Sequence, residues 1–223
     1  ILKQFVNWQR TINCNLSKIT PCPPTIDCLS LTKISLAISY RITFDPNIMS
    51  DYRVLVRDIH NCTICSKHLP LEPKPIFQFN PHARILIAGQ APGRKAHVVG
   101  RPFDDASGER LRDWMGINKR AFYNANHIAI LPMGFCFPGT GNSGDLPPRP
   151  ECAAQWRAVL MAHLKNIELA LIIGKFALDW HDIEKKEGNA KKVSVTEHIA
   201  HWRDTQPQVF PLPHPTVRVI IYG

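Results

Sequence analysis

No stretch of this 223-residue chain reaches the roughly twenty uncharged apolar residues that a bilayer-crossing helix needs, and none reads as a secretory signal. Membrane contact is therefore not expected. Acid is also scarce: 18 Asp and Glu stand against 27 Lys and Arg, giving a formal net charge of +9 and a pI near 9.4. That deficit suits a polyanionic partner such as nucleic acid, the plainer alternative being a basic soluble surface. The length supports one sizeable α/β domain, or one plus an appendage, and is short for two full domains. Methionine is absent before Met49. The stretch ahead of it carries Cys14, Cys22 and Cys28, a cluster of Pro21, Pro23 and Pro24, and a Ser/Thr-rich apolar run from Leu29 to Phe44. Its cysteine spacings match no standard metal site. The coherent pattern begins just after Met49, so residues 1–48 are expected to be an extension or translated upstream sequence, with a strand-forming arm as the alternative. Residues 49–223 are the expected domain.

What is present is organised around Ala83–Gly108, ARILIAGQAPGRKAHVVGRPFDDASG. Ile85, Leu86, Ile87 and Ala88 form a short, continuously apolar run stopped by Gly89, the pattern of a strand buried on both faces of a parallel sheet. Gly89, Ala91, Pro92 and Gly93 leave little side-chain bulk, so the loop backbone can approach a ligand and aim its amides at an anion or a water. That loop is neither GxGxxG nor GxxxxGK[ST], which argues against a dinucleotide or nucleoside triphosphate there. Asp104 and Asp105 precede a helix over Glu109–Met115, with Leu111, Trp114 and Met115 on one face. The pair can cap that helix or do chemistry. Ser107 is an equally good cap, which would free Asp105.

Along the rest of the chain, a short helix is expected over Tyr52–Ile59 and strands over Ile128–Leu131 (within the apolar run His127–Met133), Leu169–Ile173 and Gln208–Leu212. Helices are expected over Glu151–Asn166, Lys175–Ile183 and Val193–Arg203, with a charged turn at Glu184–Lys192. The alternation predicts a three-layer α/β/α architecture with a mostly parallel, doubly wound sheet. Cys62 and Cys65 form a CxxC whose possible partners are Cys136 and Cys152, at the two ends of a long Gly/Pro-rich loop, Gly134–Pro150. Four such cysteines can hold a [4Fe-4S] cluster or a tetrahedral zinc, or remain free reduced thiols.

GQAPG followed by GRPFDDASG resembles the first motif of the uracil-DNA glycosylase superfamily, in particular its iron-sulfur classes with GEAPG or GLAPG loops. PLPHP, ending the last strand, resembles the superfamily's second motif. The likeness runs from about Cys62 to His214. It implies a 4Fe-4S cluster on Cys62, Cys65, Cys136 and Cys152, in a structural role. It implies catalysis by Asp105 (water or sugar-side anion), His214 (donor to the base) and Gln90 (water-holding), with Gly89, Ala91, Pro92, Gly93, Phe103 and Asp104 around the substrate and Phe103 stacking on a flipped base. Arg94, Lys95, Arg101 and Arg149, in or beside the motif loops, are the expected phosphate contacts. The partner implied is DNA containing uracil or another deaminated base, met by a monomer in a cytoplasmic, nucleoid-associated setting.

The chain departs from the pattern twice. Pro132 stands where the GEAPG class carries an Asn that can read a pyrimidine edge, and after Pro215 Thr216 and Val217 replace the usual Ser-Pro. A catalytically impaired DNA-binding or damage-sensing protein of the same fold is therefore the second reading, and an unrelated flavodoxin-like small-molecule binder the third.

Overall fold

The computed structural model describes residues 52–142, 144–181, 194–201 and 209–215. The N-terminal extension with Cys14, Cys22 and Cys28, the charged turn at 184–192 and the divergent residues after Pro215 lie outside them. Strand β1 (Ile85–Ala88) is the spine: all four residues are buried, as a strand covered on both faces must be. It pairs in parallel with β2 (Ile128–Ile130) on one side and with β5 (Leu169–Ile173) on the other. Strand β6 (Val209–Leu212) adds in parallel to β5, so the order is β2-β1-β5-β6. Pro211, with no N–H for a ladder, fits this edge position. A two-stranded antiparallel ribbon, β3 (Thr140–Gly141) and β4 (Gly144–Asp145), stands apart from the sheet. Although 139–144 spells GTGNSG, it belongs to this ribbon and not to a strand-to-helix turn, so it is no dinucleotide fingerprint.

Alternate residues of the strands feed two cores, which makes the three layers. Ile85 and Ile87 pack with Leu111, Trp114 and Met115 of α3 (Ala106–Met115) and with Phe122 of α4 (Lys119–Phe122). Leu86 and Ala88 pack on the other face with Leu55 and Ile59 of α1 (Tyr52–His60), Leu160 of α6 (Ala158–His163), and Ala177 and Leu178 of α7 (Lys175–His181). The remaining helices are α2 (Arg94–Val99), α5 (Pro150–Cys152) and α8 (Val195–Ala200).

The strand at 169–173 falls as expected, whereas several boundaries move for local reasons. Helix α3 starts at Ala106, three residues early, because Asp105 caps it. Strand β2 stops at Ile130, ahead of Pro132, which has no N–H to extend a ladder. The helix expected over 151–166 starts at Pro150, a favoured first position, and passes through a π-helical stretch at Ala153–Arg157 before α6. The connection from β1 runs to β2 on one side, and the next crosses back past β1 to β5 on the other. Their carboxyl ends therefore bound the crevice where ligands settle in open α/β sheets, and the loops after β1, β2 and β6 all reach it.

Candidate active site and cysteine pocket

The first wall of the crevice is the loop after β1. Gly89 is buried, and a Cβ placed on it would lie 3.4 Å from Cζ of Phe103. The Phe103 ring thus rests against the loop, edge-on to Phe122 at 6.3 Å between centroids, and half-buried at the margin of the core. Its backbone is unusual: φ is +54° at a non-glycine residue, a conformation costing about 1–3 kcal/mol. The surroundings enforce it. The Phe103 carbonyl accepts from Nη1 of Arg112 at 3.1 Å and lies so close to α3 that a Cβ on Gly108 would stand 1.7 Å from its oxygen. Tyr123 Oη adds a 2.9 Å bond to the Pro102 carbonyl. The aromatic face is held in place before any ligand arrives.

The two adjacent acids have separated duties. Asp104 is bound by Arg101 and by Nζ of Lys119 at 2.7 Å. Lys119 first, then Arg101, holds its carboxyl down to about 2. Arg101 also lies over the Tyr123 ring, 4.5 Å from its centroid. Asp104 thus ties α4 to the segment before α3. Asp105 is the N-cap of α3, its Oδ1 accepting from the Gly108 amide at 2.9 Å. The expectation that Ser107 would cap and free Asp105 is corrected here: Asp105 has the extended φ of −148° that an N-cap needs. One carboxylate oxygen is committed to the helix.

The opposite wall is the β3–β4 ribbon, which the sequence reading missed. Asp145 turns its carboxylate against the first motif loop: Oδ2 lies 3.1 Å from the place of a Cβ on Gly93. Thr140 Oγ1 approaches its Oδ1 at 3.5 Å. Gln90 holds the ribbon from the other side, its Nε2 donating to the Leu146 carbonyl at 3.0 Å. One N–H of its amide thus positions this loop. His214, beyond β6, completes the crevice. Its imidazole keeps solvent-accessible surface but is crowded by protein, and desolvation pushes its pKa below the ordinary value against the opposing pull of Asp105 and Asp145. The ring is therefore neutral at neutral pH. Residues 105, 145 and 214, far apart in sequence, sense one another's charge. A GD pair amid glycines and prolines between two cysteines was the signal available for Asp145.

The four cysteines of the expected centre line a single pocket, together with Ile59, Ile64, Pro75, Phe135 and Trp156. All four are free thiols. Two N–H groups point at sulfur: the Phe135 amide at Cys152 Sγ and Trp156 Nε1 at Cys62 Sγ, both at 3.3 Å. Burial pushes the Cys136 thiol up to about 11 and that of Cys152 to about 12. No group of three or more His, Cys, Asp or Glu among the described residues is set to hold a single metal ion.

A family model described as the uracil DNA glycosylase superfamily matches residues 76–219. The chain belongs to that superfamily. It is 26% identical over 144 residues to a type-4 uracil-DNA glycosylase of Thermotoga maritima, covering 62% of this chain and 67% of that protein. With a type-4 uracil-DNA glycosylase of Archaeoglobus fulgidus it shares 28% identity over 128 residues, 55% of this chain and 59% of the relative.

Within this superfamily member the basic residues divide. Arg94 and Lys95 are exposed at the start of α2, with no ion pair among the described residues. Arg101 is engaged with Asp104, and Arg149 pairs with Glu151. Pro132, at the position of the missing Asn, is fixed by Arg157. This fully buried side chain donates from Nη1 to the carbonyls of Leu131 at 2.7 Å and Pro132 at 3.3 Å. Gly89 lies against Phe103 and Gly93 against Asp145, the charges of Asp105 and Asp145 reach His214, and Asp104 faces Arg101 and Lys119.

Proposed function

We propose that this protein is a DNA glycosylase that hydrolyses the N-glycosidic bond of uracil, or of another deaminated base, after the nucleotide has flipped out of the DNA. The observation that carries this reading is the meeting of Asp105, Asp145 and His214 beside the Gly89–Gly93 loop and the preset ring of Phe103. Flipping costs a few kcal/mol, returned by stacking and hydrogen bonding in the pocket, and Phe103 offers the stacking face. As the bond lengthens, positive charge grows on the sugar and negative charge on the base. Asp105, fixed by the α3 amide, is the anion for the sugar. The neutral His214 ring donates an N–H to the base oxygen, a preorganised donor aimed where charge develops.

Cys62, Cys65, Cys136 and Cys152 fit a 4Fe-4S cluster: four sulfurs around one apolar pocket with N–H donors already on two of them. Zinc would need them closed on one point, an arrangement absent among the described residues. The cluster's iron would neutralise the thiolates and cross-link the turn after α1, the loop after β2 and α5. That role is structural, because Met133 and Gly134 donate to the carbonyls of Gly89 and Gln90 and so connect the cysteine loop to the motif loop. The substrate is DNA, approached through Arg94 and Lys95, and residues 49–223 are the catalytic unit, a monomer working inside the cell. No helix among the described residues is long and apolar enough to cross a membrane.

A second reading, a damage-binding protein with little turnover, is favoured by Pro132 at the Asn position. Incubation with an oligonucleotide carrying one uracil, followed by alkaline cleavage of abasic sites, separates the two. Strand breaks at the uracil by the wild type and not by Asp105→Asn support the glycosylase, and tight binding without breaks supports the second reading.

A further inference from the structure

Asp105 and Asp145, the two carboxylates whose charges reach His214, are not equivalent. Asp105 has an oxygen committed to a backbone N–H at 2.9 Å. That bond fixes its carboxylate in place at the start of α3, with one oxygen already occupied. Among the described residues no amide donates to Asp145 in this way. The Thr140 hydroxyl approaches it only at 3.5 Å, a weak contact, and its other oxygen is turned onto the backbone of Gly93, in the loop expected to shape the substrate pocket. The ribbon that carries it is braced for position. The Leu146 amide donates to the Gly139 carbonyl at 2.8 Å, Gln90 donates to Leu146, and Gly144 turns the ribbon at φ +139°.

We propose that Asp145 is the general base of the reaction, the group that holds the attacking water and takes its proton, while Asp105 remains the sugar-side anion. The inference rests on the glycosylase reading above and refines its division of labour. The water oxygen forms the new bond to C1′ as the C1′–N bond breaks. The bonding pair leaves with the base, which departs as an anion held by the His214 N–H, and the water proton passes to the Asp145 carboxylate. A proton affinity above that of an ordinary carboxyl serves this role. Desolvation raises that of Asp145, Asp105 adds to it, and the Thr140 hydroxyl and His214 oppose it. Two acids given different tasks by different surroundings are a recurring arrangement in hydrolases.

The test is single-turnover uracil release by the full chain at saturating protein, across pH, for wild type, Asp145→Asn, Asp145→Glu and Asp105→Asn. Asp145→Asn should slow release about 10²-fold to 10⁴-fold and abolish the fall in rate on the acid side of the pH profile, with partial recovery in Asp145→Glu. Asp105→Asn should be slow but keep that acid limb. DNA affinity of Asp145→Asn should match wild type. Independently of activity, the His214 imidazole pKa followed by NMR should drop in Asp145→Asn, since the lost negative charge no longer favours the imidazolium. A normal rate with an unchanged acid limb, or an unmoved His214 pKa, overturns the assignment. A wild type that binds uracil-containing DNA and releases no uracil overturns the glycosylase reading, and this inference with it.

Discussion

The cysteine pocket and the acid–imidazole crevice are joined by a single length of chain, residues 131–146, yet they handle charge in opposite ways. In the pocket, sulfur is surrounded by Ile59, Ile64, Pro75 and Phe135, and the thiols of Cys136 and Cys152 are raised so far that they keep their protons at neutral pH. Only a bound cation can make thiolates of them. The crevice holds Asp105 on a helix amide, and Asp104 beside it has two cationic partners. The pocket must be charged from outside, and the crevice is charged by folding.

That contrast can be broken most severely at the pocket. Cys152→Ala should eliminate the broad visible absorption expected of the anaerobically purified protein and, through the loop, reduce base release to background. An unaltered spectrum would separate the cysteines from any iron centre. Next in size, Asp105→Asn and His214→Ala should each slow single-turnover base release about 10²-fold to 10³-fold, the cost of one charge-stabilising group, with the absorption spectrum untouched in both. Loss of the spectrum in Asp105→Asn would show that the two regions are not separable. Smaller again, Gly108→Ala should destabilise the fold by about 1–3 kcal/mol, as overpacking does, because the new methyl meets the Phe103 carbonyl at 1.7 Å. Denaturant titration measures it, and an unchanged midpoint would mean that the Phe103 backbone is not held as described. The smallest effect belongs to the rim. Removing Arg94 or Lys95 should lessen the slope of log affinity against log salt by about one each. Arg101→Ala should alter the slope less, its charge being spent on Asp104.

The parts legible in the sequence are those that depend on short-range pattern. ILIA before glycine announces the central strand, and LALII announces its neighbour, because a strand covered on both faces must be apolar throughout. The cysteines were legible too: a CxxC and two cysteines bracketing a Gly/Pro loop form a recognisable spacing, and all four meet in one pocket. The roles of Asp104 and Asp105 were not separable in this way. They are neighbours of one chemical kind, and only the arrival of Lys119 at one and the α3 amides at the other distinguishes them. Asp145 was invisible because a lone acid in a loop has no periodicity, and its meaning comes from Gly93 and His214, more than fifty residues away on either side.

The sequence by itself determined the α/β architecture, the strand that anchors it and the set of four cysteines, since each is written in local hydrophobicity or residue spacing. Tertiary structure decided which aspartate caps and which is clamped, that Gln90 braces a ribbon, and that Asp145 faces His214. Those outcomes depend on distances between segments remote in the chain. Hydrogen bonds need contact within about 3 Å and charges in salt act over roughly 10 Å, so both acquire their values after the sheet has brought those segments together.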